Sequence, residues 1–135
     1  MKEEEVKKHV IEWLKEQDYE IVSISPGRGR SPLVKRGRRA KATPPDIKAR
    51  KGGAYYFVEA KGDPATVAAV YTAVGQIVTK MVAKTPTTYA VAFSPSYKKI
   101  LHLIPPEVQK KFHLKIFTPK EEKRESKRLP EVTEI

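Results

Sequence analysis

The chain has 135 residues, no cysteine, 39% hydrophobic residues and a formal net charge of +11. That length suits one domain able to bury a core, and the lack of cysteine excludes disulfide frameworks, thiolate zinc sites and thiol catalysis. No stretch approaches the roughly 20 apolar residues of a membrane span, and the acidic, lysine-rich start lacks the apolar centre of a signal peptide. A soluble, cytoplasmic protein with no membrane partner is expected. The excess of positive charge points to a polyanionic partner, and it is unevenly spread. Residues 26–51 carry ten basic side chains against one acid, whereas from Lys120 onward five bases balance five acids.

In chain order, residues 3–17 set Val6, Val10, Trp13 and Leu14 at the spacing of an amphipathic helix. Glu3, Glu4 and Glu5 occupy its first turn, where the macrodipole favours negative charge. Tyr19 to Ser25 reads as a strand that Pro26 ends. Residues 26–43 follow as a Gly, Pro, Arg and Lys loop with little to bury, expected to be mobile until a ligand neutralises it. Arg28, Arg30, Lys35, Arg36, Arg38, Arg39 and Lys41 in this stretch, with Lys48 just beyond it, are candidate contacts to a nucleic-acid backbone. Lys35 to Arg39 reads equally well as a nuclear-import signal. Gly27-Arg28-Gly29-Arg30 lacks the lysine-serine ending of a phosphate-binding P-loop.

The next segment, from Pro44 to Gly62, carries the chemistry. Two strand-forming runs flank Gly52 and Gly53, the signal of a β-hairpin. Period-two alternation puts Tyr55, Phe57, Glu59 and Lys61 on one face of the second arm and Tyr56, Val58 and Ala60 on the other. Asp46 opens the first arm, so antiparallel pairing brings it to the end of the second, beside Glu59 and Lys61. Two carboxylates and an ammonium group thus converge. Hard divalent ions take carboxylate and carbonyl oxygens, so Asp46, Glu59 and the Ala60 carbonyl are candidate ligands for Mg²⁺ or Mn²⁺. Lys61 is placed to orient a water or to neutralise charge developing on a phosphate. The bland alternatives are a solvated ion-pair face for Glu59 and Lys61 and a turn start for Pro45-Asp46.

Pro45-Asp46, twelve residues, then Glu59-x-Lys61 resembles the PD-(D/E)xK nuclease superfamily. The resemblance implies a restriction endonuclease-like fold, with Asp46, Glu59 and Lys61 as the metal-binding and catalytic set. Members of that superfamily, archaeal Holliday junction resolvases among them, also place a glutamate of the first helix in the site. Glu4 and Glu5 are the candidates here, Glu5 being the further possible metal ligand, with dipole compensation as the alternative.

After the hairpin, Asp63 and Pro64 read as a helix start. Val67, Val70, Tyr71, Val74, Ile77, Val78 and Met81 form an apolar stripe through about residue 83. Gln76 and Lys80 lie one turn apart on one face of this helix. The resemblance makes Gln76 a further catalytic residue and Lys80, one turn on, a candidate nucleic-acid contact; helix geometry alone allows solvent exposure equally well. Thr87 to Phe93 reads as an interior strand. Residues 97–104 are ambiguous, Pro105 and Pro106 open a short helix to Phe112, and Leu114 to Phe117 is a last strand. One domain over residues 1–118 is expected, with 119–135 as a charged tail. His9, His102 and His113 lack metal-ligand spacing.

The expected fold is an α/β sandwich with a mixed sheet, the α-β-β-β-α-β core of the resembled superfamily. The expected activity is Mg²⁺- or Mn²⁺-dependent hydrolysis of phosphodiester bonds in DNA, with RNA left open as a partner and a homodimer compatible with cutting both strands. The alternatives are a non-catalytic basic nucleic-acid-binding protein or a subunit of a larger DNA-processing system. No aromatic-rich binding sheet is legible, which argues against RNA-recognition modules.

Overall fold

The computed structural model describes residues 1–25, 44–81, 85–120 and 131–133, the last three by backbone alone. Its centre is a six-stranded sheet whose strands lie side by side in chain order: β1 (Glu20–Ile24), β2 (Ile47–Lys51), β3 (Ala54–Lys61), β4 (Thr87–Phe93), β5 (Leu114–Thr118) and β6 (Glu131–Thr133). The β1–β2, β2–β3 and β5–β6 pairs are antiparallel, and β3–β4 and β4–β5 are parallel. The β2–β3 hairpin turns on Gly52 and Gly53, and Gly52 adopts φ +62°, which glycine takes without strain.

Helices cover both faces, as the alternation of β3 and β4 dictates. Helix α1 (Glu3–Glu16) lays Val6, Val10 and Leu14 on Ile47, Ala49, Tyr56, Val58, Ala60, Ala90 and Ala92. Trp13 closes this core edge-on against Tyr56 and Phe117, with ring centroids 6.0 and 5.6 Å away. On the opposite face, helix α2 (Val67–Val78) buries Val70, Ala73 and Ile77 against Val91, Phe93, Leu114 and Ile116. The same face of β3 carries Glu59 and Lys61. The start of α1 is seated on Gly62, just past β3: a β-carbon there would meet the Lys2 carbonyl carbon at 2.6 Å and the Glu3 backbone closer still.

Three expectations change. Helix α2 begins at Val67, because Thr66 Oγ1 accepts the Ala69 N–H at 3.1 Å and acts as the cap. Asp63 is engaged elsewhere: the Met1 ammonium, Ser96 Oγ and Ser94 Oγ all donate to its carboxylate and hold it well below the usual carboxylate range. The helix also ends at Val78 rather than near residue 83, and Thr79–Met81 form a turn. Residues 95–103 resolve into two short 3₁₀ helices, Pro95–Lys99 and Leu101–Leu103, followed by helix α3 (Pro106–Phe112). The expected tail contributes β6, which pairs Val132 with Phe117. Among the described residues no helix is long and apolar enough to cross a membrane.

Candidate active site

The hairpin register builds the site. Ile47 pairs with Val58, so the next residues outward, Asp46 and Glu59, stand opposite each other. Asp46 is fixed there because its Oδ2 accepts the Ala60 N–H at 2.8 Å. Glu59 is 3% exposed, and its carboxyl is pushed up to about 7, chiefly by burial and then by the negative charge of Asp46. The adjacent Lys80 ammonium offsets part of that rise.

Lys80 is where the structure departs most from the sequence reading. Instead of reaching out to a phosphate, it turns inward from the turn after α2 and is itself buried. Its Nζ lies 3.0 Å from Glu59 Oε1 and donates to the Gln76 backbone carbonyl at 3.1 Å. The Lys80–Glu59 contact is an ion pair without hydrogen-bond alignment, so Glu59 Oε1 remains a buried oxygen with no aligned donor. Gln76 Oε1 is likewise buried without a donor, and the hydrogen bond linking Gln76 to Lys80 comes from its backbone. Lys61 is half-buried on the same face as Glu59, and among the described residues its ammonium forms no ion pair or hydrogen bond.

The first-turn acids of α1 stay outside this group. Glu5 is exposed and its carboxylate accepts the Lys2 N–H at 3.3 Å, closing its own helix turn. Glu3 and Glu4 lie 3.7 and 3.9 Å from Lys7 Nζ. Among the described residues no cluster of three or more acidic or histidine side chains is placed to hold a metal. The donor set is therefore the two carboxylates, Asp46 and Glu59. Mg²⁺ is commonly bound by one or two carboxylates with waters completing its shell, and a buried carboxylate oxygen without an aligned donor, beside a second carboxylate, fits such an ion. Ala60 is committed to Asp46 through its N–H, and the Ala60 carbonyl is the candidate neutral ligand beside them.

Two residues at the site have no mark in the sequence motif. Lys7, 2% exposed on α1, donates through Nζ to the Ser25 carbonyl at 3.3 Å. Ser25 donates through Oγ to the Pro45 carbonyl at 3.0 Å and through its N–H to the Asp46 carbonyl at 2.8 Å. The ends of β1 and β2 are thereby clamped together beside Asp46. A lysine flanking the apolar stripe at Val6 and Val10 is the only sequence hint.

Of the candidate nucleic-acid contacts, Arg28, Arg30, Lys35, Arg36, Arg38, Arg39 and Lys41 lie outside the described residues. Lys48 sits with Nζ 5.1 Å from the Tyr55 ring centre and 5.7 Å from that of Phe57. Those rings belong to an edge-on row, Tyr55 to Phe57 at 6.2 Å and Phe57 to Tyr89 at 5.8 Å. The sheet thus does carry an aromatic row, because the parallel register sets Phe57 beside Tyr89.

No protein-family model and no curated protein matches the chain. Two solved structures are similar to it. One is an XisH family protein from Nostoc punctiforme, 17% identical, covering 85% of this chain and 90% of its own, with a TM-score of 0.52. The other is an fdxN element excision controlling factor protein from Anabaena variabilis, 19% identical, covering 85% and 89%, with a TM-score of 0.51. At these identities the likeness is one of fold: the chain shares with these XisH-type proteins an α/β architecture in which helices flank a mixed sheet.

Proposed function

We propose that this chain is a PD-(D/E)xK-type, metal-dependent nuclease that hydrolyses phosphodiester bonds in DNA. The observation that carries this reading is the pair of carboxyls at the end of the hairpin, Asp46 held by the Ala60 N–H and Glu59 buried against it. Lys61, unpaired among the described residues, lies on the same strand face as Glu59. A carboxylate pair that destabilises its own ionisation has a use when a divalent cation joins it.

Asp46 and Glu59 would hold the metal, whose chemistry is to polarise a phosphoryl oxygen and lower the pKa of a bound water. The role of Asp46 depends on the Ala60 N–H, which fixes its carboxyl and leaves the second oxygen available. Lys61 supplies a positive charge where a phosphate would gain negative charge. Gln76 holds the Lys80 ammonium through its backbone carbonyl, and its side chain is proposed to assist catalysis. The backbone of a nucleic acid is drawn by the +9 of residues 26–51, and Ser25, the residue before that stretch, is bonded to Pro45 and Asp46 beside the site. The name of one structural neighbour, an element excision controlling factor, is in keeping with a DNA substrate.

A second reading, a nucleic-acid binder without catalysis, is favoured by Lys80, whose ammonium already neutralises part of the acidic pair. Variants separate the two. Asp46→Ala and Lys61→Ala should each reduce Mg²⁺-dependent DNA cleavage by on the order of 10²–10³ or more, with binding in a gel-shift assay within a few-fold of wild type. Cleavage undiminished in either variant would overturn the nuclease assignment.

A further inference from the structure

Lys80 stands in an unusual position for a lysine. It and Glu59 are both nearly excluded from solvent, 7% and 3% exposed, and a buried ammonium is costly unless it is paired. Among the described residues its polar neighbours are Glu59 Oε1 at 3.0 Å and the Gln76 carbonyl at 3.1 Å. The pairing with Glu59 is imperfect, since Nζ is at ion-pair distance from an oxygen that has no aligned hydrogen bond. A structural ion pair of this depth is normally locked by hydrogen bonds on both partners. Here the ammonium lies 3.0 Å from the carboxylate and has one further acceptor, the neutral Gln76 carbonyl, while Glu59 Oε1 has no donor besides Lys80 among the described residues.

The charge balance explains what such a lysine does. With both carboxyls ionised, Asp46 and Glu59 place two negative charges at the end of the hairpin, and Lys80 supplies one positive charge. A divalent cation on the same carboxylates would neutralise them without help, and would then face a buried ammonium of like sign a few ångströms away, where screening by water is weak. Both cations cannot occupy Glu59 favourably.

We propose that Lys80 is the resident counter-ion of the acidic pair, holding Glu59 in the metal-free protein and leaving it when a divalent cation binds. The proposal rests on the reading of Asp46 and Glu59 as metal ligands. Lys80 is then a positioning residue: it offsets part of the negative charge of the acidic pair in the metal-free protein, and it weakens metal affinity by the cost of its own release. The turn from Thr79 to Met81, which carries Lys80 just beyond the last residue of α2, is the element that must yield.

Isothermal titration calorimetry with Mn²⁺, at one fixed mildly alkaline pH, tests this on the full chain. Lys80→Met removes the charge and keeps the length, so Mn²⁺ should bind at least about tenfold more tightly than to wild type. Lys80→Arg keeps the charge and should stay close to wild type, and Glu59→Gln should lose the binding. Equal or weaker binding by Lys80→Met, with wild type still binding through Glu59, would overturn the competition and leave the metal reading intact. Absence of Mn²⁺ binding by all the proteins would overturn both. If Lys80→Met does not fold, wild type with ¹⁵N-labelled lysine decides: the Lys80 ammonium signal should shift or vanish as Mg²⁺ is added, and an unmoved signal in a protein that takes up Mg²⁺ would overturn the proposal.

Discussion

At the scale of single residues, Glu59 is a carboxyl whose ionisation the fold opposes. Folding moves its carboxyl from an ordinary 4.5 to about 7, through burial first and the charge of Asp46 second. The sign follows from linkage. Because the folded state holds the proton more tightly than the unfolded chain, the stabilisation is present at low pH and is lost as pH rises between those two values. The denaturant midpoint of the metal-free protein should therefore fall across this window, and Glu59→Gln should flatten that part of the profile. An identical pH profile for the variant and the wild type would remove Glu59 as the source. The motif residues Asp46, Glu59 and Lys61 were legible because strand alternation and a two-residue turn dictate where they meet. Lys80 was not. Its helix ends a turn earlier than the apolar stripe implies, and the side chain then has a buried carboxylate within reach, a fact that only tertiary packing supplies.

At the scale of elements, the site depends on how α1 and the hairpin are joined. Gly62, one residue past Lys61, lets the start of α1 lie on the strand end with no room for a β-carbon. Gly62→Ala should cost about 1–3 kcal/mol and lower the midpoint of a thermal melt followed by circular dichroism, because α1 must lift from the sheet. An unchanged midpoint would contradict that close seating. The hairpin, the two faces of β3 and the core of α1 were readable from periodicity alone. The three residues of β6 were not, since a short edge strand in a charged segment carries no pattern of its own. The cap of α2 escapes a local reading for a related reason: Asp63 and Pro64 have the chemistry of a helix start, but the carboxylate is engaged by the Met1 ammonium and two serine hydroxyls from distant parts of the chain. The aromatic row from Tyr55 to Tyr89 similarly needs the β3–β4 register, which no single strand reveals.

At the scale of the whole molecule, an α/β sandwich carries most of its excess positive charge in residues 26–51, the stretch that also contains Asp46. If that stretch holds a nucleic-acid backbone, replacing Arg36, Arg38 and Arg39 with glutamine should weaken binding and make its salt dependence less steep, by roughly 0.9 in the log–log slope for each phosphate that is no longer neutralised. A slope equal to that of wild type would take the stretch out of the interface. The likeness to XisH-type structures shows that this architecture recurs in proteins of low sequence identity, and a shared fold leaves the chemistry to the residues of the site. The central claim, that Asp46 and Glu59 form a metal-dependent phosphodiesterase site, is tested most directly by incubating the purified protein with supercoiled, linear and branched DNA, in parallel with Mg²⁺ and with EDTA. The account predicts cleavage of at least one of these forms with Mg²⁺ and none with EDTA. DNA left intact in every Mg²⁺ reaction, or cut equally well in EDTA, would contradict it.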